Sequence, residues 1–338
     1  MAYQRDGRSK AARAMNTTML RWAALLPLLM GCSQKQEAEQ LRVEVLYTTG
    51  GVGDRSYCDD VYAGLVRASL DTDFRLTTSA PGSRAEAETI FAAWTASPAT
   101  GPELMFTMAG LPRGTTPCAF GGRHVVELDG NDGPCSGLKT VTYRSFAPSF
   151  LAGVAAVAVS PRKKASVIGG MDIAIVNEFV RGFVAGVTYA GGAVVDTKYL
   201  STTQIGFADP AQAQTVAEAM YADADVVFPV AGGSGMGVFE AAKEAAGRYA
   251  FGMDVDQSWL GRGVIVGSVV RRLDLSVTQA IHDEAAGEFI DGAESLGLSE
   301  AATDLVVNDV FADRVAALVA AARGEALAGE ARDLAEHP

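Results

Sequence analysis

Several features that this 338-residue chain lacks narrow its function. Lys and Arg number 28 against 40 Asp and Glu, so the formal net charge is −12. Proteins that bind nucleic acids normally carry a basic face, and we therefore expect no nucleic-acid partner. There are only three His, no C-x-x-C pair and no G-x-S-x-G segment. We accordingly expect no metal, no cofactor and no enzymatic activity.

Long apolar runs are also lacking. Outside residues 20–30, no stretch approaches the roughly 18 apolar residues of a membrane-spanning helix. Residues 1–31 combine five basic residues with a short apolar segment that ends in Leu29-Met30-Gly31-Cys32, which is typical of a bacterial lipoprotein signal peptide. We predict removal of residues 1–31, lipidation of Cys32, a flexible tether over 32–40, and an exported body anchored to the cell membrane. An ordinary signal peptide with a chance cysteine is the alternative.

Three cysteines follow Cys32, so at least one thiol stays unpaired if a disulfide forms. Cys118 and Cys135 both lie in the Gly- and Pro-rich segment 111–138, where a disulfide would join two parts of an irregular loop. They are the candidate pair, and Cys58 would remain free.

The rest of the chain alternates apolar strand patterns with amphipathic helix patterns of about 10–16 residues. This alternation predicts an α/β protein built on parallel sheets. The series of units restarts after about residue 145, which indicates two doubly wound lobes joined by a hinge. Such sheets bind ligands at the carboxyl ends of their strands, so we expect a ligand cleft between the lobes.

Glycine-rich loops follow five of the predicted strands, and four of these loops also carry an acidic or aromatic side chain. Glycine allows close backbone approach, acids accept hydrogen bonds from hydroxyl groups, and aromatic rings stack on flat groups. The loops therefore favour a ligand with hydroxyls and a planar ring. They are residues 50–59, 169–172, 206–210, 231–237 and 252–257.

From about Phe150 to Ile281 the chain resembles the basic membrane protein family, lipoproteins that serve as substrate-binding components of ABC transporters and include purine-nucleoside receptors. The motifs that carry the resemblance are Ser149-Phe-Leu-Ala-Gly153, Ile168-Gly-Gly-Met-Asp-Ile173, Phe179-Val-Arg-Gly-Phe183, the run Ala231–Lys243, Gly252-Met-Asp-Val-Asp-Gln257 and Ser268-Val-Val-Arg-Arg-Leu-Asp274. Upstream, the segment Asp54–Leu65 is similar to the family's first loop and helix. Residues 71–145 match poorly.

The resemblance implies a type I periplasmic-binding fold that holds a nucleoside between two lobes without chemical turnover. An aromatic side chain from each lobe would sandwich the base. Phe207 matches one of these, and Tyr57 or Tyr62 would supply the other. The expected partners are a nucleoside and a transporter permease, and we expect a monomer.

The resemblance also assigns polar contacts. Asp54 matches the first-loop acid, Asp254 an acid that binds the ribose, and Gly233 and Gly235 a backbone cradle. Arg271 stands where the family has a Lys that reaches the ribose. Two other departures are Tyr57 in place of Phe and Cys58 in place of Asn.

The expected domain division follows the same fold. Residues 41–145 with about 256–303 would form the first lobe, and residues 146–255 with about 304–330 the second. Two alternatives to a transport receptor stay open: an extracytoplasmic sensor lobe for a small molecule, and a nucleoside-processing hydrolase.

Overall fold

The computed structural model describes residues 40–113, 118–130, 132–133 and 135–337. The predicted signal peptide, Cys32 and residues 33–39 of the predicted tether lie outside these residues. In the described ranges, the strands are β1 (Leu41–Leu46), β2 (Phe74–Ser79), β3 (Glu103–Met108), β4 (His124–Leu128), β5 (Leu138–Tyr143), β6 (Lys164–Gly169), β7 (Ala193–Tyr199), β8 (Val226–Val230), β9 (Tyr249–Asp254), β10 (Ile265–Arg271), β11 (Gly292–Leu296) and β12 (Thr303–Val307).

The α-helices of the same ranges alternate with these strands. They are α1 (Tyr57–Ala68), α2 (Arg84–Ala96), α3 (Phe146–Val159), α4 (Ala174–Tyr189), α5 (Pro210–Met220), α6 (Gly235–Lys243), α7 (Leu273–Ala286) and α8 (Ala312–Glu336). At least two of these helices begin with residues that are typical of helix starts. The Ser83 side chain accepts a hydrogen bond from the backbone of Glu86 at the start of α2, and Pro210 occupies the first turn of α5. Among the helices described, none combines the length and the apolar character needed to cross a membrane.

The strands form two six-stranded sheets. The first has the order β11-β5-β4-β3-β1-β2 and is parallel throughout. The second has the order β12-β10-β9-β8-β6-β7 and is parallel except for β12, which pairs antiparallel with β10. In each sheet the strand order reverses beside its first strand, β1 or β6, which is the arrangement of doubly wound α/β folds. The predicted α/β fold class with two doubly wound lobes is therefore confirmed.

The chain passes between the lobes three times, and one passage differs from the expected division. The strand β10 belongs to the second sheet, so the second lobe extends to Arg271 rather than ending near residue 255. The helix α7 then packs on α1 in the first lobe, and β11 completes the first sheet. The expected first-lobe segment 256–303 is thus divided between the lobes. The expected division leaves β10 out of the second lobe because the sequence does not show which sheet a strand joins.

The irregular segment after β3 is closed by a disulfide bond. Cys118 and Cys135 are joined with their Cα atoms 5.9 Å apart. The remaining described cysteine, Cys58, is a free thiol in the core of the first lobe. Burial raises the pKa of the Cys58 thiol, so the side chain behaves as a small apolar group.

The second lobe is built around the close packing of α3 on α4. Nearly every residue of α3 is buried, and glycines allow the two backbones to touch. A Cβ atom added at Gly186 would lie 1.9 Å from the carbonyl oxygen of Phe150, and one added at Gly182 would lie 2.3 Å from that of Phe146. Both contacts are with backbone atoms, so a side chain at either position would force the helices apart.

Gly186→Ala should therefore destabilise the protein by about 1–3 kcal/mol or more, the cost of overpacking a well-filled core. Gly324→Ala is a matched control on the exposed face of α8, where an added Cβ atom would meet nothing within 4 Å. That substitution should stabilise the protein by up to about 1 kcal/mol, because alanine is the better helix former. Denaturant unfolding of both variants measures the difference, and equal effects would contradict close packing of α3 and α4.

Candidate ligand-binding site

A cavity of about 340 Å³ lies between the lobes. It is lined from the first lobe by residues that follow β1, β3 and β4, and from the second by residues at or after the carboxyl ends of β6, β7, β8, β9 and β10. This is the place where doubly wound sheets bind ligands, and the volume is in the range of small-molecule sites. The expectation of a cleft between two lobes therefore agrees with the structure.

Much of the cavity wall is apolar or aromatic. Phe207 lines it from the second lobe, at the end of a short 3₁₀ turn, Gln204–Phe207. Its side chain is half-buried and also packs against the core of that lobe. Phe179 of α4 and Tyr57 of α1 contribute two further rings. The site therefore offers aromatic surface from both lobes.

A buried serine fixes the loop that carries Phe207. The Ser234 hydroxyl donates to the carbonyl oxygen of Gly206 at 2.8 Å and accepts from the backbone N–H of Asp209 at 2.8 Å. Ser234 itself belongs to the turn Gly232–Ser234, and Gly232 and Gly233 of this turn line the cavity. Its hydroxyl thus holds two cavity-lining segments together.

Asp54 lines the cavity from the first lobe while capping a helix. Its carboxylate accepts backbone N–H groups from Ser56 and Cys58 at 2.9 Å and from Asp59 at 3.2 Å, at the start of α1. Burial raises the pKa of Asp54, and the three N–H groups oppose that rise. Oδ1 accepts two of these bonds and Oδ2 accepts one, so Oδ2 retains capacity for a further donor.

The buried side chain of Arg271 joins two acids from different lobes. Its Nε donates to Asp254 Oδ1 at 2.8 Å, and one terminal nitrogen donates to Asp129 Oδ2 at 2.6 Å. Asp254 ends β9 in the second lobe, and Asp129 follows β4 in the first. The side chains of Arg271, Asp129 and Asp254 are at most 4% exposed. We call these three residues the interlobe bridge.

Further contacts surround the interlobe bridge. The Ser56 hydroxyl donates to the second oxygen of Asp254. The Arg271 Cζ atom lies 5.0 Å from the centroid of the Tyr57 ring and 5.4 Å from that of Phe179. Asp254 adopts a left-handed backbone conformation, with φ of 65°, which is uncommon outside glycine although asparagine and aspartate adopt it more readily than other residues. The contacts of its side chain hold it in this conformation.

The pKa values of the side chains in the interlobe bridge depend on the pairing of Arg271 with the two acids. Burial by itself would lower the pKa of Arg271, but Asp129 and Asp254 raise it above its ordinary value, so the guanidinium remains charged. Burial raises the pKa of Asp129, and Arg271 opposes that rise. Asp129 Oδ1 is buried and meets no donor at hydrogen-bonding distance and angle among the described residues, although the Tyr57 hydroxyl lies close enough to lower the pKa of Asp129. A residue that lines the cavity thus carries a buried acceptor without a full partner.

The structure separates the two tyrosines that the sequence left as alternatives. Tyr57 lines the cavity, and its hydroxyl donates to the carbonyl oxygen of Leu128 at 3.2 Å. Tyr62 is 43% exposed and is not among the cavity-lining residues. Tyr62 lies five positions after Tyr57 in α1. At about 100° per residue, this places the two side chains about 140° apart around the helix.

The two glycines that were expected to cradle the ligand lie in different places. Gly233 lines the cavity, and a Cβ atom added there would lie 3.3 Å from the carbonyl oxygen of Phe207. Gly235 lies outside the cavity lining and packs against Pro229. Of the eight expected ligand-binding residues, six therefore line the cavity, and Tyr62 and Gly235 do not. Cys58 is also outside, so its thiol does not take the place of an amide at a ligand.

Three residues of the site went unrecognised in the sequence. Asp129 follows β4 in the stretch that resembles the family least, and only its position after an apolar strand could have indicated it. Phe179 and Ser234 lie in segments that carry the resemblance, but the sequence predicts no ligand contact or supporting role for either. Their roles depend on which segments the fold brings together, which a single sequence does not display.

The amino-acid sequence of this chain is similar to those of known proteins. A sequence profile of the family described as ABC transporter substrate-binding protein PnrA-like matches residues 128–326, more than half of the chain. The chain belongs to this family. Basic membrane protein D of Borreliella burgdorferi strain JD1 is 33% identical over 177 residues, which are 51% of each chain. The match therefore spans about half the length of that curated relative.

Two further comparisons extend the likeness. The ABC transporter nucleoside-binding protein BmpA of Lactococcus lactis is 29% identical over 245 residues, covering 69% of this chain and 68% of that one. The crystal structure of an ABC transporter solute-binding protein from Aeropyrum pernix K1 superposes with a TM-score of 0.72 at 23% identity, over 88% of this chain and 92% of that one. The PnrA-like chain thus has the two-lobe fold of periplasmic solute-binding proteins.

Arg271→Met should destabilise the protein by about 3–5 kcal/mol, because it leaves two buried carboxylates without their counter-charge. Adding Asp129→Asn should recover part of the loss. Arg272→Met is the control, since Arg272 is 40% exposed and pairs with Asp274, a contact worth about 0–1 kcal/mol. Thermal and denaturant unfolding measure these effects. Losses of equal size for Arg271→Met and Arg272→Met would contradict a buried bridge.

Proposed function

We propose that this protein is the lipid-anchored, extracytoplasmic substrate-binding component of an ABC importer, and that it binds a purine nucleoside between its lobes and releases it unchanged. The observation that carries the proposal is a cavity with aromatic walls beside buried carboxylates, in a chain of the PnrA-like family. The ligand would contact Asp54, Tyr57, Phe207, Gly233 and Asp254.

The aromatic walls support a ligand with a flat ring. Phe207 in the second lobe and Tyr57 in the first both line the cavity. Stacking of a base on an aromatic side chain contributes roughly 1–3 kcal/mol in other proteins. Two such rings from opposite lobes would couple binding of the base to closure of the cleft.

The carboxylates support a ligand rich in hydrogen-bond donors. Asp54, Asp129 and Asp254 all line the cavity, and Asp129 Oδ1 lacks a full partner among the described residues. Ribose hydroxyls and the N–H groups of a purine can donate to such oxygens. Buried acceptors of this kind favour ligands that satisfy them.

The charge of the cavity favours a nucleoside over a nucleotide. Among the described residues that line it, Arg271 is the one cation, and its side chain is paired with two acids. A phosphate group would meet the three carboxylates without a free cation to compensate its charge. We therefore expect neutral ligands to bind and phosphorylated ones to be rejected.

The transport role rests on the family and on a named relative. The relative from Lactococcus lactis is described as an ABC transporter nucleoside-binding protein. By analogy, the partner of this chain would be a transporter permease, to which a monomer delivers ligand. The sensor and hydrolase alternatives share the ligand and differ in its fate.

Isothermal titration calorimetry of the mature protein should show binding of adenosine, guanosine or inosine, and little or none of the matching 5′-monophosphates. At a nucleoside concentration a hundredfold above Kd, the folded state should gain roughly 2.7 kcal/mol in a thermal melt. Chromatography after prolonged incubation should recover intact nucleoside. Free base or ribose would show a hydrolase, and absence of binding to every nucleoside would overturn the proposed ligand.

Anchoring is tested separately in cells. Cys32→Ser should move the protein from the membrane fraction to the soluble fraction, because the thiol that carries the lipid is gone. Ser33→Ala is the adjacent control and should stay membrane-bound. Immunoblots of fractionated cells provide the measurement, and membrane retention of both variants would contradict lipidation at Cys32.

A further inference from the structure

We propose that Gly170 is a positioning residue, whose missing side chain makes the space that keeps the Phe207 ring at the cavity wall. The inference rests on the proposed function, in which Phe207 stacks on the ligand. Gly170 directly follows β6, and Phe207 lies on the turn after β7. The two residues come from separate loops that meet at the carboxyl edge of the second sheet.

The contact between them is tight. A Cβ atom added at Gly170 would lie 2.5 Å from Cδ1 and from Cε1 of Phe207 and 3.0 Å from its Cζ. Cβ contacts below 3.0 Å are essentially never seen, so one of the two groups would have to move. The ring of Phe207 therefore occupies space that only glycine leaves free.

The backbone of Gly170 is not the part that can move. Its N–H donates to the carbonyl oxygen of Val230 at 2.9 Å, and its own carbonyl accepts from the N–H of Ser201 at 3.1 Å. A Cβ atom added at Gly206 would lie 2.1 Å from the same carbonyl oxygen, so the two loops are also in backbone contact there. Gly170 is held from three sides.

The backbone of Phe207 is fixed as well. Ser234 bonds to the residues before and after it in this loop, Gly206 and Asp209. The N–H of Ala208 also donates to the carbonyl oxygen of Ile205 at 2.9 Å. A side chain at Gly170 would consequently displace the Phe207 ring, which borders the cavity, rather than either loop.

The conformation of Gly170 does not itself require glycine. Its φ is not in the left-handed region, unlike that of other glycines such as Gly50 and Gly232. Alanine can adopt the same backbone, so its effect at this position would come from the ring. This makes Gly170→Ala an informative substitution.

Gly169 provides a matched control one residue away. A Cβ atom added there would lie 2.6 Å from the Tyr199 ring, a contact of similar severity. Tyr199 does not line the cavity, and the one lining residue near the added atom is Val176, whose Cγ1 would lie 3.0 Å away. Gly169→Ala should therefore lower stability with a smaller loss of affinity than Gly170→Ala, whose clash falls on the Phe207 ring itself.

The test is a double-mutant cycle on nucleoside affinity, measured by calorimetry with the tightest-binding of adenosine, guanosine and inosine. Phe207→Ala should weaken binding roughly 5- to 150-fold. Gly170→Ala should weaken it at least about fivefold in the native background, but less than about twofold in the Phe207→Ala background. Such non-additivity would show that Gly170 acts through the ring.

The outcomes separate the two proposals. If Phe207→Ala leaves affinity unchanged, the assignment of Phe207 within the proposed function is wrong. If Phe207→Ala weakens binding but Gly170→Ala does not, or if the two losses simply multiply, the positioning role of Gly170 is overturned.

One further variant covers the case in which Gly170→Ala does not fold. Phe207→Ala removes the ring atoms Cδ1, Cε1 and Cζ that the added Cβ atom would meet, so the double variant Gly170→Ala/Phe207→Ala should fold and melt within a few degrees of Phe207→Ala. A double variant that still fails to fold would place the clash elsewhere and reject the proposal.

Discussion

The guanidinium of Arg271 sets the geometry on which the interlobe site depends. It binds Asp129 of the first lobe and Asp254 of the second, and all three side chains are buried. Three charges in a low-dielectric region are costly to bury, and only near-complete hydrogen bonding offsets that cost. Because the partners come from both lobes, these bonds also fix how the ends of β4, β9 and β10 face one another. The main effect of these bonds is therefore to orient the two lobes, and their net contribution to stability is smaller.

The same arrangement gives the Arg271 position a different character from that implied by the resemblance. A Lys there would present a single compact charge, whereas the planar guanidinium can bind two carboxylates at once. Arg271 uses its Nε and a terminal nitrogen for Asp254 and Asp129. Its planar group also lies near the rings of Tyr57 and Phe179. Contacts to a sugar would then fall mainly to oxygen acceptors rather than to this cation.

Local patterns predicted most of the regular structure. The alternation of apolar strand patterns with amphipathic helix patterns predicts the two α/β lobes that the structure shows, with helices such as Ala174–Tyr189 and Leu273–Ala286 between the strands. The strands Gly292–Leu296 and Thr303–Val307 have little apolar pattern because they lie at sheet edges and carry few buried side chains. The passage after β10 could not be located either, because the sequence does not show that β10 joins the second sheet.

The sequence predicted only those site residues that lie in recognisable motifs. Residues in motifs, such as Asp54 and Phe207, could be placed near a ligand by resemblance. Asp129 and Gly170 could not, because their roles come from partners more than thirty residues away in the chain. Tyr57 and Tyr62 are equally plausible by type, and only the orientation of α1 distinguishes them. Pairings across lobes are tertiary facts that local spacing does not encode.

The interleaving of the two lobes along the chain has a consequence for how the protein folds. The first lobe lacks α7 and β11 until residue 296 is available, and the second lacks β12 and α8 until about residue 336. Helix α8 must then pack on α3, more than 150 residues upstream. Contacts between such distant segments slow folding because a long loop must close before they form. Neither lobe can therefore reach its native packing on the growing chain, and the last 40 or so residues complete both nearly together.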